Sequence, residues 1–244
     1  MPKTSDKRRL LLISNSTEYG RGYLDHVEAE LRDFLGNARR VLFVPYALHD
    51  RDDCAARARE RLEQMGFQLE SIHVVENKPA AVGTADAIFV GGGNTFRLLK
   101  ALYDDDLLGA IRQRVREGMP YVGSSAGSIV AGPSIKTTKD MPIVQPPSFA
   151  SLGLVGFQIS PHYLDPDPDS RHMGETQEER IHQFLEENDV PVVGLREGGF
   201  LRVEGGSVLL KGPVSARVFR RKQEATECPP GSRIDRFLSI DEQL

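Results

Sequence analysis

Short runs of consecutive apolar residues alternate along the chain with stretches whose apolar positions recur every three or four residues. Leu10-Leu11-Leu12-Ile13, Val41-Leu42-Phe43-Val44, Ile72-His73-Val74-Val75 and Ala87-Ile88-Phe89-Val90 are such runs, and each reads as a strand. Between them Leu24, Val27, Leu31 and Phe34 mark one helix face. Ala55, Ala58, Leu62 and Met65 mark another, with Gly66 placed to end it. Leu108, Ile111 and Val115 mark a third, closed by Gly118. Strands without polar alternation need cover on both faces. The pattern therefore predicts an α/β fold, a parallel-rich sheet sandwiched by helices.

Beyond about residue 135 the rhythm loosens, and Pro142, Pro146, Pro147, Pro161, Pro166 and Pro168 break the chain into loops. One helix is still marked, because Thr176-Gln177-Glu178-Glu179 has the form of a capping box ahead of Ile181, Phe184 and Leu185. Val192-Val193-Gly194-Leu195 reads as a strand. Phe200–Val203, Ser207–Leu210 and Ala216–Phe219 read as a small C-terminal antiparallel β-meander, turning at Gly205-Gly206. With no repeat and no clear linker, residues 1–244 are expected to form one domain. The segment from about Lys222 is poor in apolar residues and is expected to be a loosely ordered tail.

Charge narrows the function. A formal net charge of −4 provides no basic footprint for nucleic acid or an anionic membrane. The arginines are interleaved with acids, as in Arg57-Ala58-Arg59-Glu60-Arg61, and read as solvated helix faces. Two cysteines, Cys54 and Cys228, lie far apart, which argues against a disulfide framework or a thiolate zinc site. The apolar run after the basic N-terminus ends at Ile13, too short for a signal-peptide core or a membrane span. A cytoplasmic protein needing no metal or cofactor is the expectation.

Gly123-Ser124-Ser125-Ala126-Gly127 brings in chemistry. It follows the β-leaning Tyr121-Val122 and precedes a small-residue stretch, so it reads as a serine nucleophile on a sharp strand-to-helix turn. An ordinary glycine–serine turn has the same composition. In the nucleophile reading the N–H of Ala126 points where an oxyanion would form. Gly91-Gly92-Gly93-Asn94-Thr95 directly follows the strand ending at Val90 and exposes backbone N–H groups to an anion. In a parallel sheet both loops fall on one edge and face one crevice.

A serine nucleophile needs a base and an acid to orient it. Of six histidines, His162 follows a short strand at a loop and is the first choice, with His172 second. His26 and His182 read as surface or boundary residues on helices, and His73 as part of a strand. Glu197, just past a strand end, and Asp140, in Thr137-Thr138-Lys139-Asp140-Met141-Pro142, are the candidate acids.

These words, in this order, resemble the peptidase E family of α-aspartyl dipeptidases, within the serine peptidases that also include the cyanophycinases. Leu12–Thr17, Gly91–Phe96, the Gly123–Gly127 elbow, Thr137–Val144, Pro161-His162-Tyr163, Gly174-Glu175-Thr176 and Glu197-Gly198 carry the resemblance, from about Leu10 to Phe219. It implies a fold similar to class I glutamine amidotransferases, with Ser125 as nucleophile, His162 as base and Glu197 ahead of Asp140 as acid. It further implies hydrolysis of small peptides with N-terminal aspartate, the oxyanion held by the N–H groups of Gly93 and Ala126.

One position departs from the pattern. The resemblance implies an arginine after Gly-Glu-Thr, a partner for the substrate carboxylate, and here that residue is Gln177. Asn94, Gln177, Arg171 and Arg180 are the candidate substrate contacts. Three alternatives stay open: a cyanophycinase-like or otherwise altered peptidase, a non-catalytic anion-binding protein, and a glutaminase-type amidotransferase. Serine rather than cysteine at 125 argues against the last.

Overall fold

The computed structural model describes residues 6–169, 171 and 173–238. Among the described residues eleven strands form: β1 Arg9–Ile13, β2 Arg40–Val44, β3 Gln68–Ser71, β4 Ala87–Val90, β5 Tyr121–Ser124, β6 Gln158–Pro161, β7 Val192–Leu195, β8 Phe200–Glu204, β9 Ser207–Lys211, β10 Ala216–Phe219 and β11 Thr226–Cys228. The α-helices are α1 Glu28–Leu35, α2 Arg51–Gln64, α3 Lys78–Thr84, α4 Thr95–Asp104, α5 Leu107–Arg116, α6 Ala126–Ala131, α7 Gln177–Glu187 and α8 Asp235–Leu238.

The main sheet runs β3-β2-β4-β5-β1-β8-β9. Its first five strands are parallel, and the β8–β9 hairpin is added antiparallel to β1. The side chains of the apolar runs alternate between two cores. Leu10 and Leu12 pack with the helices α3 to α6, whereas Leu11 and Ile13 pack with α1 and α2. All four are fully buried. Burial of each such side chain contributes about 1.5–3 kcal/mol, which is why these strands tolerate no polar alternation.

Three expectations are corrected in detail. The strand expected at Ile72–Val75 is a 3-10 turn at Ile72–Val74, and the strand lies just before it as β3. Gln68–Ser71 is an edge strand buried on alternate residues, so it carries no continuous apolar run. The three C-terminal antiparallel strands are divided between sheets. β8 and β9 turn at Gly205-Gly206 within the main sheet, while β10 joins a second sheet ordered β11-β10-β7-β6. The expected tail beyond Lys222 contains β11 and α8, pinned by the buried Cys228 and Ile234, and residues 239–244 lie outside the described ones.

This topology positions the site. Strands β2, β4, β5 and β1 end on the same edge of the sheet, so the loops after Val44, Val90, Ser124 and Ile13 converge there. The second sheet brings the ends of β6 and β7 to the same place: Pro161 pairs with Leu195, and Ser14 Oγ donates to the Leu195 carbonyl at 2.8 Å. Among the described residues no helix is long and apolar enough to cross a membrane, and no cluster of three or more His, Cys, Asp or Glu has metal-binding proximity.

Candidate active site

Ser125 sits between β5 and α6 with φ 50° and ψ −109°, a conformation that only glycine adopts without strain. The backbone is held there from three sides. Ser125 N–H donates to the Ile13 carbonyl at 2.9 Å, and Ser128 Oγ donates to the carbonyls of Ile13 and Gly123, both at 2.8 Å. Tyr121, buried and with its phenol pushed far up by desolvation, donates its hydroxyl to the Gly127 carbonyl at 2.6 Å.

The glycines of the elbow are required by close approach. A Cβ on Gly127 would lie 2.1 Å from the Val90 carbonyl oxygen, and one on Gly123 would lie 2.6 Å from that of Gly127. Gly127→Ala is expected to cost about 3 kcal/mol or more, since backbone rather than a yielding side chain blocks the methyl. A thermal melt would read this as a fall of roughly 6–12 °C.

Ser125 Oγ and His162 Nε2 are 2.9 Å apart, and His162 Nδ1 lies 2.6 Å from Glu197 Oε1. His162 follows β6 directly and has a positive φ of 52°, a second strained backbone facing the first. Its N–H donates to Ser14 Oγ at 2.8 Å, and its carbonyl accepts from Gln177 Nε2 and Lys139 Nζ, each at 3.1 Å. Glu197 follows β7, and the next residue, Gly198 (φ +81°), donates its N–H to Asn15 Oδ1 at 2.8 Å. Ser14 and Asn15 thus support the base loop and the acid loop at once. Sequence reading carried them only inside a longer word, because a Ser-Asn pair after a strand looks like any turn.

A further link joins the two loops. Arg196 makes a bidentate pair with Asp165, at 2.8 and 2.7 Å, and also reaches Glu227 at 2.7 Å. The Asp165 hydrogen bonds, foremost, hold the Arg196 guanidinium well above its usual range. The ion pair ties the residue before Glu197 to the segment after His162.

Facing Ser125 is the glycine loop. A Cβ on Gly92 would lie 3.1 Å from the Ser125 Cβ, and Gly93 has φ +133°. Among the described residues no acceptor is bonded to the N–H of Gly93 or of Ala126. Such a pair of amides beside a nucleophile can take an oxyanion.

The other residues singled out by sequence fall in different places. The structure does not bring Asp140 to His162. Its carboxylate accepts from the Thr95 N–H at 2.7 Å and the Thr95 hydroxyl at 2.6 Å, and so anchors the start of α4. Asn94 caps the same helix by accepting from the Arg97 N–H, and its amide donates to the Met141 carbonyl. Gln177 spends its oxygen on the Leu164 N–H and its nitrogen on His162. Arg180 is exposed and lies 3.6 Å from Glu175, Arg171 is exposed, and His172 is outside the described residues.

A second Ser–His–Asp chain exists and sharpens the assignment. Ser71 Oγ lies 2.7 Å from His73 Nδ1, and His73 Nε2 lies 2.9 Å from Asp52. Ser71 is only 1% exposed, whereas Ser125 is half-buried and opens to the crevice. A buried hydroxyl has no route to a substrate.

The chain matches the model of Peptidase family S51 over residues 10–211. It is 54% identical over 231 residues to Peptidase E of Streptomyces coelicolor, covering 95% of each chain. It is 49% identical over 226 residues to a Drosophila melanogaster protein named "Probable alpha-aspartyl dipeptidase", covering 91% of this chain and 94% of that one. The crystal structure of a peptidase from an acI-B1 Actinobacterium superposes with a TM-score of 0.71 over 94% of this chain and 98% of that one; at 14% identity it speaks for the fold alone. The chain belongs to peptidase family S51.

Proposed function

We propose that the chain, acting as one unit, is a cytoplasmic serine dipeptidase that hydrolyses small peptides with an N-terminal aspartate through an acyl-enzyme on Ser125. The observation that carries the reading is the continuous hydrogen-bonded series from Ser125 Oγ through His162 to Glu197.

In this mechanism His162 Nε2 takes the Ser125 proton as Oγ attacks the carbonyl carbon of the aspartyl residue. Glu197 accepts the Nδ1–H, which selects the tautomer with a free Nε2 and stabilises the imidazolium that forms. The Gly93 and Ala126 amides receive the oxyanion, and each such donor is typically worth about 3–4 kcal/mol of barrier. Collapse of the tetrahedral species breaks the C–N bond, and His162 passes its proton to the leaving amine. Water, deprotonated by His162, then cleaves the ester and returns the proton to Ser125. The strained φ angles of Ser125 and His162 keep both groups aimed before substrate arrives.

A second reading is an S51 peptidase with another side-chain preference, and Gln177 favours it. Its amide is already engaged with backbone and offers no guanidinium to an aspartate. Hydrolysis of Asp-Leu, Asn-Leu, Ala-Leu and a β-aspartyl dipeptide separates the two. The proposal expects Asp-Leu to be cut alone or by far the fastest. Faster cleavage of another member selects the second reading, and no cleavage of any moves an anion-binding role to the front.

A further inference from the structure

The segment that holds the base loop also holds the glycine loop. Residues 137–141 have no regular secondary structure and form a strap between β6 and the start of α4. Their side chains divide by alternation. Thr137 Oγ1 donates to the Ile159 carbonyl at 3.0 Å, and Lys139 Nζ donates to the carbonyls of Pro161 and His162, each at 3.1 Å. Thr138 and Asp140 turn instead to α4. The Thr138 hydroxyl lies 3.1 Å from Thr95 Oγ1, and the Asp140 carboxylate accepts from the Thr95 N–H and hydroxyl. Asn94, directly after Gly93, donates its amide to the Met141 carbonyl at 2.9 Å. The strap therefore joins the strand that ends at His162 to the loop that faces Ser125.

Lys139 makes the strap's contact with the base. Among the described residues β6 pairs with β7 alone and is the edge of its sheet, so no further strand takes up its carbonyls. His162 then leaves the strand with φ 52°. A non-glycine residue in that region is strained and stays there only when its surroundings hold it. Lys78, Lys100 and Lys211 pair with carboxylates, whereas Lys139 spends its ammonium on two consecutive backbone carbonyls. Those carbonyls belong to the peptide planes before and after the His162 Cα, so one charged donor ties both dihedrals of the base. Gln177 Nε2 is the second donor to the His162 carbonyl, and Ser14 Oγ accepts from the His162 N–H.

We propose that Lys139 is a positioning residue for the base: by tying the peptide planes on either side of His162, it holds the imidazole in line with Ser125 Oγ. This rests on the peptidase reading above and extends it from the triad to the side chain that aims it. Lys139 acts through His162 and takes no part in proton transfer. Without it the Gln177 and Ser14 contacts still retain the loop, and the residue is exposed, so its truncation opens no buried cavity. The defect is misalignment rather than unfolding, and a displacement of about 1 Å at a reacting group can cost on the order of a hundredfold in rate.

The test compares wild type, Lys139→Met, Lys139→Arg and, as a control on the neighbouring chain, Lys136→Met, whose lysine reaches Asn188 instead. Three quantities are read: the rate at which a fluorophosphonate labels Ser125, kcat and KM for the dipeptide of the panel above that wild type cuts fastest, and the thermal melt. The expected result is that Lys139→Met lowers both the labelling rate and kcat by about ten- to a hundredfold, with KM within about twofold of wild type and the melt within about two degrees. Lys139→Arg, which keeps a cationic donor, should recover part of both rates, and Lys136→Met should match wild type. Wild-type labelling and turnover in Lys139→Met would overturn the proposal. So would a loss of rate that comes only with a lowered melt, which marks a structural role, or a raised KM with labelling unchanged, which marks a substrate contact. If the reagent leaves Ser125 of the wild type unmodified, the serine-peptidase reading fails, and the positioning role with it.

Discussion

Replacing Ser125 with alanine is expected to lower kcat/KM by about 10⁴- to 10⁶-fold while leaving the melting temperature within a degree or two, because a triad acts as a unit. The Oγ makes one side-chain contact, with His162, so its removal breaks nothing that holds the elbow. The elbow is held instead by the Ser125 N–H, Ser128 and Tyr121, which the mutation leaves in place. Ser125→Gly separates strain from chemistry. It should be as inactive as the alanine variant yet more stable than it by about 1 kcal/mol, the residue of a positive-φ penalty of ~1–2 kcal/mol less the entropy cost of glycine. Residual activity near wild type in either variant would remove Ser125 from the mechanism.

The two candidate acids should fail in different ways. Glu197→Gln is expected to lower kcat by roughly 10²- to 10⁴-fold, because an amide can donate to Nδ1 and fix the tautomer whose Nε2 carries the proton. Its effect on stability should be small: the Glu197 side chain is 55% exposed, and an exposed pair contributes about 0–1 kcal/mol. Asp140→Asn should cost about 1–3 kcal/mol of stability, since the partly buried Asp140 carboxylate serves an N–H and two hydroxyls at the start of α4. Any loss of rate in Asp140→Asn should come with that loss of stability, because α4 begins where the Gly93 loop ends. Kinetics and thermal melts on both variants check this. Full activity in Glu197→Gln would contradict the assignment.

The sequence made the central sheet legible because β1, β2 and β4 are buried on both faces, where physics demands uninterrupted apolar residues. It concealed β3, whose exposed edge allows polar alternation, and it concealed the second sheet. That sheet assembles Gln158, Val192, Ala216 and Thr226 from distant segments, and no local period records such pairing. Ser125 was legible because a strained elbow demands glycines on both sides in sequence. His162 and Glu197 each follow a strand end, and only the pairing of β6 with β7 brings them together. Asp140 stayed the second candidate acid in sequence, since anchoring a helix that begins 45 residues away leaves no local mark.

The most direct test of the account is to react the wild-type protein with a serine-directed fluorophosphonate and map the adduct by peptide mass spectrometry. Among the described residues two serine hydroxyls are bonded to an imidazole nitrogen, those of Ser125 and the buried Ser71, and the method reads which one is nucleophilic. The account predicts stoichiometric modification of the peptide carrying Ser125, loss of hydrolysis in step with labelling, and slow labelling in Glu197→Gln. An adduct elsewhere, or full peptidase activity with Ser125 blocked, would contradict it.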